Sequence, residues 1–213
     1  MSDLYEPEKT SWKWFGKMAD SLVLSLLWAL CSLPVLTIVP ASIALYDSIA
    51  CCVHGNKDHP YKYFFHVLKT ELWRGMGMTL LWGALGALLF YGYNLLLHLG
   101  KDNAAISVYA MVYLASMLIP LGIFGWLIPL EARFSQGFFK LHKTAATFAL
   151  VHLPTTALVL SVAVVGAALV AFFPVLVLII PGIVITIQCV PIEKVLQKYV
   201  SEEQEEADND TAE

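Results

Sequence analysis

Hydrophobic residues along this chain are gathered into long runs that contain no charged side chain. Four stretches lack Lys, Arg, Asp and Glu altogether, and they cover residues 21–46, 75–100, 103–130 and 144–192. A membrane-spanning helix needs roughly 20 mostly apolar residues. The first three stretches therefore hold one span each, and the fourth, at 49 residues, holds two. This pattern predicts an all-α fold, a polytopic membrane helix bundle with five principal transmembrane helices.

The limits of the five spans follow from the charged, proline and glycine residues between the apolar runs. Proline disfavours a continuous helix at Phe172-Phe173-Pro174, which divides the longest run. The predicted spans cover about 20–38, 76–99, 104–128, 145–171 and 174–192. Together they place residues 20–200 in one membrane domain, which follows an N-terminal segment over 1–19.

The first apolar run contains two proline breaks, at Pro34 and Pro40, after which a helical pattern resumes over about 41–53. The segment from Ser21 to Val53 would measure about 50 Å as a helix. Two crossings of a bilayer core need about 60 Å plus a turn. Broken backbone at membrane depth is tolerated only where protein or water covers it. We therefore expect a re-entrant leg over about 41–53, with a full crossing as the alternative.

The basic residues predict the orientation of the chain in the membrane. With the re-entrant leg, Lys101 alone lies outside and the other twelve Lys and Arg residues lie inside, as the positive-inside rule favours. Both termini are then cytoplasmic. If every segment simply crosses, the bases divide four to nine and the N-terminus lies outside.

Composition and charge narrow the class of protein further. The chain is 58% hydrophobic and 14% charged, whereas soluble domains carry about 25% charged residues. This excludes a soluble enzyme, a nucleic-acid binder and a secreted disulfide scaffold, and the lack of short alternating segments excludes an outer-membrane barrel. The net charge of −4 arises in the tail at 201–213, which carries seven acids and no base, so residues 1–200 carry +3. The polar tail is predicted to be disordered.

The stretch over about 60–74 has the pattern of a surface helix. Phe64, Phe65, Leu68 and Leu72 fall at helical spacing on one side, which predicts an interfacial helix with its aromatic face among lipid headgroups. The alternative is a cytoplasmic extension of the next span.

Similar sequences occur at 64–70 and 138–144, and each leads into two apolar segments. An internal duplication and a coincidence of composition both explain this likeness. The sequence leaves the choice between them open.

Polar side chains inside the apolar runs are candidates for function, because such groups are costly in a membrane. Asn94, His152 and Gln188 are the residues concerned. The alternative for each is a hydrogen bond between neighbouring helices. A broken helix exposes backbone dipoles, so a transport site would lie where the break at Pro34 and Pro40 meets these three side chains.

Charged and reactive residues near the ends of the spans complete the candidates. Glu131 and Arg133 follow the third span, where they either anchor the helix at the interface or couple to a partner. The four cysteines lack the paired spacing of metal ligands. No catalytic arrangement is readable, so we expect no metal, no cofactor, no catalytic residue and no enzymatic activity.

The motif that starts at Cys31 resembles the hallmark of the YesL-like family of bacterial integral membrane proteins, a family with no assigned function. It reads Cys31-Ser32-Leu33-Pro34-Val35-Leu36-Thr37-Ile38, followed by Pro40-Ala41 and Ala44-Leu45-Tyr46. Val39 stands where members commonly have glycine. Weaker likenesses elsewhere extend the resemblance over about residues 14–200, mainly through hydrophobic pattern.

The resemblance implies a multi-pass protein of the bacterial plasma membrane, and the family supplies no catalytic residues. Relatives tend to be encoded beside sugar-uptake and polysaccharide-degradation systems, which is an association rather than a mechanism. We therefore expect a non-enzymatic accessory or regulatory component of carbohydrate uptake, with a docking surface over 54–74 and 129–143. The expected partners are the lipid bilayer, sugar ABC transporter subunits and, as a further option, a second copy in a homo-oligomer, but no nucleic acid. A small-molecule transporter or channel is the alternative.

The predicted orientation can be tested with single cysteines placed in an otherwise cysteine-free chain. Lys101→Cys should react with a membrane-impermeant maleimide added to intact cells, because Lys101 is predicted to lie outside. Lys9→Cys should react only after the membrane has been permeabilised. Labelling of Lys9→Cys in intact cells would favour the arrangement in which residues 20–53 cross the membrane completely.

Overall fold

The computed structural model describes residues 7–54, 59–100, 104–134 and 137–210, and the regular structure in these ranges is entirely helical. Four helical segments among them are long and apolar enough to cross a membrane: Pro60–Leu99, Val108–Arg133, Leu153–Phe172 and Ile180–Tyr199. The predicted class, a bundle of membrane helices, is confirmed. The predicted count of five spans is not confirmed: four segments of the described residues qualify as spans, and the predicted first span over about 20–38 is divided, since α1 ends at Cys31.

The chain forms eight α-helices within the described ranges. They are α1 (Pro7–Cys31), α2 (Ile38–Ser48), α3 (Pro60–Leu99), α4 (Ala104–Ser116), α5 (Leu118–Arg133), α6 (Phe138–Val151), α7 (Leu153–Phe172) and α8 (Ile180–Asp210). Short 3-10 turns precede α2 at Val35–Thr37 and α8 at Pro174–Leu178, and a π-helical turn over Ile49–His54 continues α2.

The first apolar run forms a helical hairpin. Pro34 has an extended backbone (φ −74°, ψ 110°), which separates α1 from the turn that leads into α2. The indole nitrogen of Trp28 donates a hydrogen bond to Oγ of Ser42 at 3.0 Å, whereas Leu24, one turn earlier on α1, belongs to the same buried cluster as Ile49. The earlier residue on α1, Leu24, is therefore grouped with the later residue on α2, Ile49, which means that the two helices are antiparallel. A returning helix is what the re-entrant interpretation needs.

The returning helix α2 lies at the centre of the bundle. Every residue from Val39 to Ser48 is buried, and α2 packs against α1, α3, α5 and α8. The approach to α3 is close enough to require a glycine, because a Cβ added at Gly75 would lie 2.6 Å from Cβ of Pro40.

Helix α3 continues without a break for 40 residues, about 60 Å at 1.5 Å per residue. The segment over 60–74, predicted as an interfacial helix, is the N-terminal part of the helix that includes the predicted span 76–99, which agrees with the alternative of an extension of that span. Glycines at 75 and 77 weaken a helix only modestly, by roughly 1 kcal/mol each. The packing of Gly75 against α2 offsets that cost.

Two of the other predicted spans are interrupted. The segment predicted over 104–128 divides at Met117 into α4 and α5, and α5 continues to Arg133. The segment predicted over 145–171 divides at His152, two residues before Pro154, which lies in the first turn of α7, where its missing N–H costs no helical hydrogen bond. The hydroxyl of Thr156 lies 3.0 Å from the carbonyl oxygens of Ala149 and His152, so it can donate to either side of this break.

The acidic tail also departs from expectation. Helix α8 continues to Asp210, so residues 201–210 are helical rather than disordered as composition predicts. Glu, Gln and Ala are good helix formers, and extending an existing helix adds one hydrogen bond for each residue that becomes ordered. Residues 211–213 lie outside the described ranges.

The two similar sequences have a common local geometry but different surroundings. Phe64 and Phe65 meet edge to face with ring centroids 5.6 Å apart, and Phe138 and Phe139 do so at 5.7 Å. The first pair belongs to an unbroken helix, whereas the second begins a helix that breaks at His152. An internal duplication stays a prediction.

The close contact between α2 and α3 predicts a difference between two neighbouring glycines of α3. We expect Gly75→Ala to lower the melting temperature of the detergent-solubilised protein by several degrees, because overpacking against Pro40 costs about 1–3 kcal/mol. Gly77→Ala is the matched control, since no atom lies within 4 Å of a Cβ added there. Equal melting temperatures for the two variants would contradict the packing of α2 on α3.

Candidate functional site

A set of polar side chains joins four helices at the C-terminal end of α2. We call it the polar cluster, and its members are Tyr46, Asp47, Cys51, Tyr63, Arg133 and Glu193. Its strongest element is a two-pronged ion pair between α5 and α8. Nε of Arg133 donates to Oε1 of Glu193 at 2.9 Å, and Nη2 donates to Oε2 at 2.8 Å. Such fork-to-fork pairs combine charge with fixed geometry.

The C-terminal end of α2 supplies the other half of the polar cluster. The hydroxyl of Tyr46 donates to Oε1 of Glu193 at 3.0 Å. The two oxygens of Asp47 accept from Sγ of Cys51 at 3.2 Å and from the hydroxyl of Tyr63 at 2.9 Å. Helix α2 is thereby tied to α3 through Tyr63 and to α8 through Glu193. The pair with Arg133 extends the connection to α5.

A second ion pair lies between α3 and α5. Nη1 of Arg74 is 2.8 Å from Oε1 of Glu131, and the side chain of Glu131 is only 1% exposed. A carboxylate buried to this degree is costly without a nearby positive charge. Arg74, which is one-third exposed, supplies that charge from the adjoining helix.

Most of the charged residues in these contacts lie at the ends of the uncharged runs in the sequence. Asp47, Glu131 and Glu193 each stand directly after one of the uncharged runs, and Arg74 stands directly before one. The charges that border the apolar segments therefore meet one another in the fold. Asp47 and Cys51 are also four residues apart, which places them on one side of a helix.

The polar residues predicted within the spans have separate partners. Nε2 of His152 lies 3.0 Å from the hydroxyl of Tyr199, and Nε2 of Gln188 donates to the carbonyl oxygen of Val159 at 2.9 Å. The first pair joins the break between α6 and α7 to α8, and the second joins α7 to α8, in agreement with the alternative of hydrogen bonds between neighbouring helices. Asn94 donates to the carbonyl oxygen of Phe90 on its own helix at 2.8 Å.

The region of Pro34 and Pro40 borders an apolar cavity of about 400 Å³ between the hairpin turn, α3 and α5. Its walls include Ile38, Leu89 and Phe124, and neither Asn94, His152 nor Gln188 lines it. Trp82 also borders the cavity, and its indole nitrogen donates a hydrogen bond to Nε2 of His142 at 3.2 Å. Within the described part of the chain, the three predicted polar side chains are thus not brought together at the proline break.

Sequence analysis singled out Glu131 and Arg133 but not the ion pairs that they form. Tyr46 entered only as part of the motif that starts at Cys31, Cys51 was considered only as a metal ligand, and Tyr63 was missed. Arg74 and Glu193 were visible as charges at the borders of apolar runs. That border position is the signal that would have indicated the ion pairs.

The described residues include no group of three or more His, Cys, Asp or Glu side chains placed to hold a metal ion. Cys31, Cys51 and Cys189 are free thiols, and the side chain of Cys52 lies outside the described part of the chain. The chemistry that the polar cluster supports is therefore charge pairing and hydrogen bonding between helices.

Comparison with known proteins adds one finding. Residues 22–93 match DUF624, a family described as proteins of unknown function. The match covers about a third of the chain, from the hairpin through most of α3. No curated protein and no solved structure matches this chain. The matched part contains α2 and its two antiparallel neighbours, and the narrower YesL-like resemblance stays a prediction.

The polar cluster predicts that Arg133 and Glu193 depend on each other. We expect Arg133→Ala to lower the free energy of unfolding in detergent by about 1–3 kcal/mol, since it leaves a mostly buried carboxylate unpaired while solvent screens part of the loss. Lys140→Ala, which removes an exposed base from α6, should change it by less than about 0.5 kcal/mol.

Exchanging the charges of Arg133 and Glu193 tests their attraction more directly than Arg133→Ala does. Arg133→Glu combined with Glu193→Arg should unfold at a higher temperature than Arg133→Glu alone, because the attraction is restored. If the double variant is no more stable than the single one, charge pairing does not account for this contact.

Proposed function

We propose that the protein is a non-enzymatic accessory or regulatory component of a carbohydrate uptake system in the bacterial plasma membrane. The observation that carries the proposal is a set of exposed aromatic side chains in the two segments expected to dock. We call it the aromatic surface, and it comprises Phe65 (50% exposed), Trp73 (82%) and Phe139 (88%). The first two lie on the N-terminal part of α3, and the third lies at the start of α6.

The part of α3 that carries Phe65 and Trp73 is held against neighbouring helices by buried and polar contacts. Phe64, next to Phe65, is fully buried against α1 and α2. Tyr63 is held by Asp47, and Arg74, next to Trp73, is paired with Glu131. Large aromatic side chains on a rigid support are the residues that dominate protein–protein interfaces. Exposed hydrophobic patches mark sites of interaction with proteins or membranes.

The nature of the partner rests on the YesL-like resemblance. Relatives tend to be encoded beside sugar-uptake systems, so we propose subunits of a sugar ABC transporter as the partner. The four apolar helical segments favour contact within the bilayer or at its cytoplasmic surface. Transport by the chain itself has less support, because the cavity at Pro34 and Pro40 is lined by apolar groups.

The proposal predicts that the aromatic surface is needed for recovery of transporter subunits. After crosslinking in native membranes of cells grown on the inducing sugar, the wild-type chain should co-purify with subunits of a sugar transporter. Trp73→Ala and Phe139→Ala should reduce that recovery about tenfold or more, the effect of losing an interface anchor of about 2 kcal/mol. Phe172→Ala is the matched control, since Phe172 is 79% exposed at the far end of α7.

Two outcomes would contradict the proposal. The first is recovery of no transporter subunit by the wild-type chain under inducing conditions. The second is an equal effect of Phe139→Ala and Phe172→Ala, which would show that the exposed rings serve as anchors in the lipid interface.

A further inference from the structure

The apolar cavity at the proline break lies at the depth of the hydrocarbon core. On α3 its lining residues run from Thr79 to Leu89, which is about 15 Å along the helix at 1.5 Å per residue. They lie about 8 to 22 Å beyond Arg74, the last charged residue before the uncharged run 75–100. The hydrocarbon core of a bilayer is about 30 Å thick. The cavity therefore extends along α3 among lipid chains rather than in water.

Among the described residues that line this cavity, no side chain has an unused N–H or O–H donor. Thr79 and Trp82 are the lining residues with such a donor, and both donors are paired. The hydroxyl of Thr79 donates to the carbonyl oxygen of Gly75 at 2.9 Å, and the indole of Trp82 donates to His142. An apolar cavity of about 150 Å³ stays dry and can bind benzene, and this one measures about 400 Å³. Its chemistry therefore fits a longer hydrocarbon.

Two glycines of α3 form part of the wall and leave the space open. A Cβ added at Gly83 or Gly86 would have no atom within 4 Å. Gly75 is different, because a Cβ there would lie 2.6 Å from Cβ of Pro40. Glycine is a poor helix former, and no close helix contact in the described part of the chain offsets that weakness at positions 83 and 86. The effect of these two glycines is to enlarge the cavity.

A lipid chain fits this space better than a second copy of the protein does. A stable protein–protein interface buries about 800 Å² on each partner, and the exposed wall of the cavity is a small fraction of that area. A single acyl chain is thin, and the bilayer around the four apolar helical segments supplies it at high concentration. An empty cavity would also forgo the van der Waals contacts that such a chain restores.

We propose that the cavity binds one acyl chain of a phospholipid from the surrounding bilayer. The chain lies along α3 between Thr79 and Leu89, with Ile38 of the hairpin and Phe124 of α5 as the other walls. The headgroup stays outside, because the lining side chains have no unused donor for it. The site is independent of the docking proposal, since no residue of the aromatic surface lines the cavity.

The test counts the phospholipids bound to the full-length protein by native mass spectrometry after extraction from its own membrane in a mild detergent. The wild-type chain should retain one phospholipid after washing has removed loosely held lipid. Gly83→Leu should reduce the retained fraction about tenfold or more, because the leucine side chain occupies the cavity. Gly77→Leu is the matched control, since Gly77 lies on the same helix, has equal room for a Cβ and does not line the cavity. Leucine is the better helix former, so both variants should stay folded.

Trp82 provides a second readout, because it borders the cavity. Delipidated protein in detergent is titrated with a phosphatidylcholine whose acyl chains carry bromine, which quenches tryptophan fluorescence. Quenching should reach a plateau at one lipid per chain in the wild type and in Gly77→Leu. The plateau should be lost in Trp82→Phe, which removes the reporting indole, and in Gly86→Leu, which fills the same space.

Several results would overturn the proposal. They are the absence of a retained phospholipid in the wild type, equal retention by Gly83→Leu and Gly77→Leu, quenching that rises with lipid without a plateau, and a plateau that survives in Gly86→Leu. Retention of another class of lipid would also overturn it, as would a dimer of the chain that Gly83→Leu abolishes, because the cavity would then have a different occupant.

Discussion

The burial of α2 from Val39 to Ser48 is the constraint on which the rest of the structure depends. A helix of eleven residues, buried from Val39 to Ser48, has no face left for lipid or water. Its neighbours must therefore accommodate both its apolar side chains and its one carboxylate, Asp47. Gly75 has no side chain, which lets Pro40 of α2 pack closely against α3. Tyr63 and Cys51 donate hydrogen bonds to the carboxylate of Asp47.

The two ends of α2 have opposite chemical character. At its start, the hairpin turn exposes apolar side chains, with Leu33 at 76% and Val35 at 69%. An apolar turn is stable in hydrocarbon and costly in water, which supports the interpretation of a re-entrant hairpin. At its other end, the polar cluster joins α2 to α3, α5 and α8. The ion pair of the polar cluster therefore lies at the end of α2 that the basic residues predict to be cytoplasmic.

The docking proposal concerns that polar end, where two residues of the aromatic surface lie on α3 and the third lies on α6. The N-terminal part of α3 presents Phe65 and Trp73 outward, and it presents Tyr63 toward Asp47 of α2. The breaks at Met117 and His152 lie elsewhere, within the second candidate span and directly before the third.

The sequence by itself determined the class of protein and the position of the first break. Insertion of a helix into a bilayer depends on the summed hydrophobicity of consecutive residues, so the uncharged runs and Pro34 can be interpreted locally. Only the tertiary structure decided that α3 is unbroken, that His152 bonds to Tyr199, and that Arg133 pairs with Glu193. These outcomes depend on which helices pack together. The last pair is 60 residues apart in the chain, and no local pattern specifies which charges will meet when apolar helices associate.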